Sequence, residues 1–155
     1  MNEMHAQYFS RSGRVKTTGL RYFNVFGEGE NEKGQYASIA MQFLKNREHG
    51  EPLVIYGDGS QARDFIYVND VAKITLMLLE KGVNPIYNVG TGSAFRYEDI
   101  ADAIDMEHKK HIENPLGSYQ HLTKADTTKL LNVIRDYKFT SLMDWLGGKA
   151  NGLPK

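Results

Sequence analysis

The sequence runs to 155 residues, 41% hydrophobic and 25% charged, which is the composition of one globular domain rather than of a disordered or fibrous chain. Nineteen Lys and Arg balance nineteen Asp and Glu, so net charge gives no ground for a nucleic-acid or membrane-surface partner, and any anion site must be local. Cysteine is absent, which excludes disulfides and thiolate metal sites; with no signal-peptide core in MNEMHAQYFSRSGR and no apolar run near the ~18 residues of a spanning helix, the expectation is a soluble cytoplasmic protein.

Residues 2–9 read as the end of a helix. Residues 14–26, RVKTTGLRYFNVF, are rich in β-branched and aromatic types and stop at Gly27, the pattern of a buried strand entering a loop. The loop GEGENEKG leads into a helix with Tyr36, Ile39, Ala40, Phe43 and Leu44 on one face and Gly50 at its end. PLVIYGDGSQARDFIYVNDV reads as two short strands around the turn Gly57-Asp58-Gly59-Ser60, for which a plain hairpin turn is a sufficient account. Asn69 or Asp70 caps the next helix, whose apolar face is Val71, Ile74, Leu78 and Leu79 and whose stop is Gly82. A strand at 86–89 closes at Gly90-Thr91-Gly92, and a further helix carries Ile100, Ala101 and Ile104. Beyond 112 come loops and short helices, with apolar clusters at Leu130, Leu131, Val133 and at Leu142, Trp145, Leu146, before a flexible tail over 148–155. Alternating strands and helices predict an α/β fold.

Three strings in order, LRYFNVFG (20–27), YGDGSQARDFIYVNDVA (56–72) and YNVGTG (87–92), resemble the extended short-chain dehydrogenase family of sugar-nucleotide epimerases and dehydratases. Two more, EKGQYASIAMQF (32–43) and SYQHLTKADTTKL (118–130), are most similar to its ADP-glyceromanno-heptose 6-epimerases. The resemblance implies the last strands of a Rossmann-like parallel sheet plus the small substrate domain, residues 1–147, of an NAD- or NADP-dependent epimerase. Its partner would be a nucleotide sugar, in a homo-oligomer. The same strings leave open a UDP- or dTDP-sugar 4-epimerase or 4,6-dehydratase, or a sugar-nucleotide-binding module without catalysis.

Two family signatures are missing. No glycine-rich strand-to-helix turn is present to place a pyrophosphate on a helix N-terminus; Gly27, Gly29 and Gly34 echo one with the third glycine misplaced. None of the nine tyrosines has lysine four positions on, so the Tyr-x-x-x-Lys pair is absent as well. The resemblance puts that lysine just before Met1, and the chain alone is expected to bind no nicotinamide cofactor, to be inactive, and to self-associate through its uncovered strands.

For single residues the resemblance implies a sugar-nucleotide contact for Asn24, against a turn asparagine bonding its own backbone. It implies a diphosphate contact for Arg63, whose fork suits two phosphate oxygens, against an ion pair with Asp64 or Asp58. Tyr56, Gly57, Asp58, Gly59 and Ser60 would pack along the nucleotide, and Tyr119 would approach the phosphates. Gln35 and Gln42 stand where the heptose enzymes carry serine and histidine, and both can still hydrogen-bond substrate. Val25 and Lys33 fall on the cofactor side. Lys33 is a solvated charge among Glu28, Glu30 and Glu32, or, by the resemblance, a second acid/base opposite the tyrosine. His108 and His111, three apart on a possible helix, lack a third ligand, so no metal is assigned.

Overall fold

The computed structural model describes residues 2–13, 15–81, 86–115 and 117–152. The first helix, α1 (Asn2–Arg11), has no buried residue and leaves Met4 and Tyr8 largely in solvent. The expected single buried strand over 14–26 is instead two three-residue strands, β1 (Leu20–Tyr22) and β2 (Asn24–Phe26), with Arg14 outside the described residues. The chain changes neighbour between them: the Phe23 amide donates to the Val89 carbonyl at 3.0 Å, β1 pairs in parallel with β5 (Tyr87–Val89), and β2 pairs in parallel with β4 (Ala62–Tyr67). β1 is not buried, because its polar side chains turn outward, Arg21 to Glu3 at 2.6 Å and the Tyr22 hydroxyl to Thr75 at 3.4 Å.

β4 is the hub. It pairs with β2 over 65–67, with β6 (Ala94–Arg96) antiparallel over 62–64, and with β8 (Leu122–Thr123) in parallel at 62–63. β3 (Leu53–Tyr56) does not pair with β4. It joins β7 (Lys109–Ile112) in a separate parallel pair, so the turn at 57–60 carries the chain from one sheet to another and is no hairpin. β7 also corrects the helix expected at 108–111.

Three helices follow the 3.6-residue pattern closely. In α2 (Ile39–Glu48) Ala40, Phe43 and Leu44 are buried and Ser38 caps the start by accepting from the Met41 amide, while Gly50 takes the left-handed φ of 69° that ends it. Tyr36 is not on this face: it sits in a preceding 3₁₀ turn, Asn31–Tyr36, 82% exposed. α3 (Val68–Lys81) buries Ile74 and Leu78, but Leu79, one residue and ~100° round from Leu78, faces solvent. Neither Asn69 nor Asp70 caps it, since both lie in its first turn and the buried Asp70 carboxylate accepts from the Tyr137 hydroxyl and the Thr140 amide. The Gly82 stop lies outside the described residues. α4 (Tyr97–Ile104) buries Ile100, Ala101 and Ile104 as expected.

In the last third, α5 (Thr128–Ile134) buries Leu130 and Ile134 and leaves Leu131 exposed, and α6 (Leu142–Ala150) buries Leu142 and Leu146. The expected tail therefore starts inside a helix, and its last residues, 153–155, lie outside the described ones. Two cores result. One gathers Phe26, Phe43, Ile55, Phe65, Ile100 and Leu146; the other gathers Ile66, Ile74, Leu78, Tyr87, Val89 and Leu130. Adjacent residues of β4, Phe65 and Ile66, supply one each, as the two faces of a strand require. Each fully buried side chain of this size contributes ~1.5–3 kcal/mol, so both cores draw on one strand. Among the described residues no helix is long and apolar enough to cross a membrane.

Candidate functional site

The same alternation builds the site. Gln61, Arg63 and Phe65, two apart along the run into and through β4, line one cleft, while Asp64 and Ile66 face the other way into the protein. Asn24 lies opposite Phe65 in the β2–β4 register and lines the cleft too. The cleft has a volume of about 900 Å³. Its walls come from the 3₁₀ turn (Lys33, Gln35), from α2 (Gln42), from the end of β3 (Tyr56), from the start of α4 (Tyr97) and from Asn114 and Tyr119.

Asp64 settles how Arg63 is disposed. Fully buried, the Asp64 carboxylate accepts from the Thr91 amide and hydroxyl at 2.9 and 2.7 Å, the Gly92 amide at 2.8 Å and the Ala125 amide at 3.1 Å. It has no contact left for a neighbouring guanidinium. Arg63 instead donates to the carbonyls of Ala62 (2.9 Å) and His121 (3.3 Å) and lies 5.7 Å over the Tyr97 ring. The ion pair with Asp64 or Asp58 is thus replaced by a half-buried cation that lines the cleft and is held by carbonyls and an aromatic face. Burial raises the pKa of the Tyr97 hydroxyl, and the Arg63 charge partly offsets that.

On the opposite wall the loop 27–38 is wound around Glu30, 4% exposed, which accepts from the Gly27 amide (3.1 Å), the Ser38 amide (2.6 Å) and the Ser38 hydroxyl (2.9 Å). Gly34 makes the bend possible with φ 55°. Lys33 rides on this loop with its Nζ 3.8 Å from Glu30 and its side chain half exposed on the cleft. Gln42 closes the loop by donating to the Gln35 and Ala37 carbonyls at 3.3 and 2.8 Å. Asn24 donates to the Asp64 carbonyl at 3.0 Å, tying β2 to β4 across the cleft floor rather than folding back on its own turn.

The eight positions Asn24, Val25, Lys33, Gln35, Gln42, Tyr56, Arg63 and Tyr119 therefore converge on one cleft. Gly57, Asp58, Gly59 and Ser60 flank it without lining it. A Cβ on Gly57 would sit 3.7 Å from the Tyr119 hydroxyl, and one on Gly59 would meet Glu98 Oε2 at 2.6 Å. Asp58 accepts from the Ser60 amide at 3.0 Å, and Ser60 holds its carboxyl below the ordinary pKa. Gln61, Phe65 and Tyr97 are lining residues that the sequence motifs do not single out; stepping by two from Arg63 finds the first two. Among the described residues no group of three His, Asp or Glu is placed for a metal, and the histidines diverge, His108 to Asp105 at 2.9 Å and His111 to the Gly57 carbonyl and Glu98 at 3.1 Å each.

The cleft is lined by two cations, five carboxamides and four tyrosines, and its one buried acid, Glu30, already accepts from three donors. Such a surface suits an elongated anion bearing hydroxyls.

The family model described as the NAD dependent epimerase/dehydratase family matches residues 1–90. Among solved structures, UDP-glucose 4-epimerase of Thermotoga maritima with UDP-glucose is 28% identical, with a TM-score of 0.83 over 96% of this chain and 49% of that one. UDP-N-acetylglucosamine 4-epimerase of Methanobrevibacter ruminantium M1, in complex with UDP-N-acetylmuramic acid, is 31% identical, with a TM-score of 0.80 over 96% and 49%. UDP-glucose 4-epimerase of Thermus thermophilus, a complex with NAD, is 22% identical with a TM-score of 0.80 over 96% and 50%, a likeness of fold. The fold is the expected Rossmann-like α/β type, and the chain spans about half the length of these proteins.

Proposed function

Because the chain belongs to the NAD-dependent epimerase/dehydratase family, we propose that residues 1–147 form the sugar-nucleotide-binding portion of an NAD-dependent sugar-nucleotide epimerase. The observation that carries this reading is the convergence of Asn24, Lys33, Gln42, Arg63 and Tyr119, from five separate segments, on one cleft of about 900 Å³. Arg63, held from behind by carbonyls and the Tyr97 face, presents its remaining N–H groups to a diphosphate. Tyr56 packs along the nucleotide, and Tyr119 approaches the phosphates with its hydroxyl. Asn24, Gln35 and Gln42 hydrogen-bond the sugar, and Lys33 moves a proton at the sugar oxygen.

NAD supplies, when bound, the removal and return of a hydride at one sugar carbon. Of this chain's residues, Val25 and Lys33 would be the ones to meet it. The glycine turn at a strand end, Gly90-Thr91-Gly92, gives its Thr91 and Gly92 amides to Asp64, so it cannot cradle a pyrophosphate. The reaction as a whole is accordingly proposed for an enzyme in which other residues hold that cofactor. Self-association belongs to the same reading, but β5 is already buried within the chain, so of the two expected strand surfaces only β1, where Tyr22 is exposed, is left for it.

Within the family the reading we favour is the heptose 6-epimerase type, acting on an ADP-sugar; it draws on the resemblance of residues 32–43 and 118–130, with Lys33, on the cleft wall, as the proposed second proton partner. A UDP-sugar 4-epimerase is the second reading, favoured by the two relatives of 28% and 31% identity. Calorimetric titration with ADP-glucose, UDP-glucose and NAD separates them. The heptose reading expects ADP-glucose to bind the more tightly and the 4-epimerase reading UDP-glucose, with no NAD binding by this chain in either case; in the complete enzyme Arg63→Ala should weaken the preferred sugar nucleotide by ~1.5–3 kcal/mol, the scale of hydrogen bonds to charged groups, and leave NAD affinity unmoved. A normal sugar-nucleotide affinity in Arg63→Ala would overturn the proposal.

A further inference from the structure

Gln61 is the buried carboxamide of the cleft. It is 6% exposed and lines the cleft. Its backbone carbonyl accepts from the Tyr97 amide at 2.9 Å, which fixes the start of α4 against β4. Among the described residues no hydrogen bond engages its carboxamide, and its polar atoms are not sealed from the cleft. Open to the cleft, these atoms are left to water, so a ligand group there gains a partner already positioned by the fold without breaking any hydrogen bond within the protein.

Its position limits the ligand group. Gln61 and Arg63 project from the same face two residues apart, hence about 6.6 Å along the strand direction. Asn24 and Phe65 lie on the other side of Arg63 in the register, whereas Gln61 lies toward the turn that leads back to Tyr56. With the diphosphate on Arg63 and the sugar toward Asn24, the next group of a nucleotide sugar in the direction of Gln61 is the ribose. A carboxamide fits two vicinal hydroxyls, since its oxygen accepts from one and its N–H donates to the other.

We infer that Gln61 is a specificity-determining contact, hydrogen-bonding the ribose hydroxyls of the nucleotide sugar in this cleft. The inference rests on the reading of Arg63 as the diphosphate ligand. It predicts that the cleft discriminates a ribonucleotide from its counterpart lacking both ribose hydroxyls, and that this discrimination resides in Gln61.

The test is calorimetric titration of the full chain with UDP, ADP and their 2′,3′-dideoxy analogues. The unmodified protein should bind the dideoxy form about tenfold more weakly than the ribonucleotide, the upper range for one lost neutral hydrogen-bond group. Gln61→Met should bind the ribonucleotide about tenfold more weakly and lose the discrimination, with a thermal midpoint no lower than the unmodified protein's; Gln61→Asn, which keeps a carboxamide but withdraws it, should behave alike. Equal affinity of the unmodified protein for both forms overturns the inference, as does discrimination that survives in either variant. Unchanged UDP and ADP affinity in Arg63→Ala fails the diphosphate reading instead, and binding of neither nucleotide removes both.

Discussion

Arg63 and Asp64 are neighbours in sequence with opposite fates, and the difference comes from the two faces of a strand. The motif places Arg63 on a ligand cleft, and it lines one, but Asp64, expected only as a salt-bridge partner, is the buried acceptor that joins β4 to the turn after β5 and to Ala125. That role requires three segments to meet, which no local pattern reveals. All four of its hydrogen bonds come from donors, so Asp64→Asn places an N–H₂ against N–H groups. The expected loss is ~2–3 kcal/mol of unfolding free energy, read from the urea midpoint, whereas Arg63→Ala should change it by under ~1 kcal/mol. Lys33 is the second residue whose meaning depends on its surroundings. Its place on the cleft is what the proposed proton-transfer role draws on, and its 3.8 Å ion pair to Glu30 is what the solvated-charge reading draws on; under the former, Lys33→Met in the full-length enzyme should lower kcat ~100-fold with substrate still bound. A near-normal kcat would return it to a solvated loop charge and favour the 4-epimerase reading.

Elements are legible in proportion to their length. α2, α3 and α4 carry apolar residues at helical spacing over two turns or more, and the buried face follows, except where the pattern takes in a residue one step off the stripe, Leu79. The strands are two to six residues long, too short for alternation to fix their bounds, and their partners are distant, so the turn at 57–60 looks like a hairpin although β3 pairs with β7. The turn after β5 shows what sequence hides. In the bare string Gly90 is one glycine of a strand-to-loop turn, yet a Cβ there would lie 2.6 Å from Ala125 Cβ and 3.0 Å from Asp64 Oδ2. Its φ is not in the left-handed region, so the requirement is space alone. Gly90→Ala should therefore cost ~1–3 kcal/mol by overpacking, measured by chemical denaturation. Gly29→Ala has open space around its Cβ but a φ of 89°, so its cost is backbone strain confined to the loop.

At the scale of the whole molecule, the C-terminal segment crosses both cores and is fastened by two contacts that titrate at opposite ends of the pH scale. Near one end the Tyr137 hydroxyl donates to buried Asp70 at 2.9 Å; burial first, then that carboxylate, raises its pKa above the ordinary 10. At the other end Glu28 accepts from Tyr67 at 2.6 Å and from the Trp145 indole at 3.3 Å, and pairs with Lys149 at 3.1 Å. The Tyr67 hydrogen bond is the main cause that takes the Glu28 carboxyl from 4.5 down to about 2. For a raised tyrosine pKa, the contribution is complete below pH 10 and falls away as pH climbs from there toward the folded value. For a lowered carboxyl pKa, it is complete above 4.5 and falls away as pH drops toward 2. Because Glu28 is about half exposed, solvent screening keeps its share small, and the expected result is local loosening of α6 rather than global unfolding. Trp145 is the single tryptophan and touches Glu28 directly, so its emission reports that end alone. Between pH 4.5 and 2 the emission should shift to the red in the unmodified chain ahead of any loss of far-ultraviolet ellipticity, and Glu28→Gln should already show the shifted emission at neutral pH with no further change across that window. Tyr137→Phe should leave the acid behaviour intact and flatten the fall in thermal midpoint above pH 10, at a cost of ~1 kcal/mol at neutral pH for the lost bond to Asp70. An acid emission change that persists in Glu28→Gln would mean that carboxylates elsewhere, Asp105 beside Arg47 foremost, govern how α6 is held.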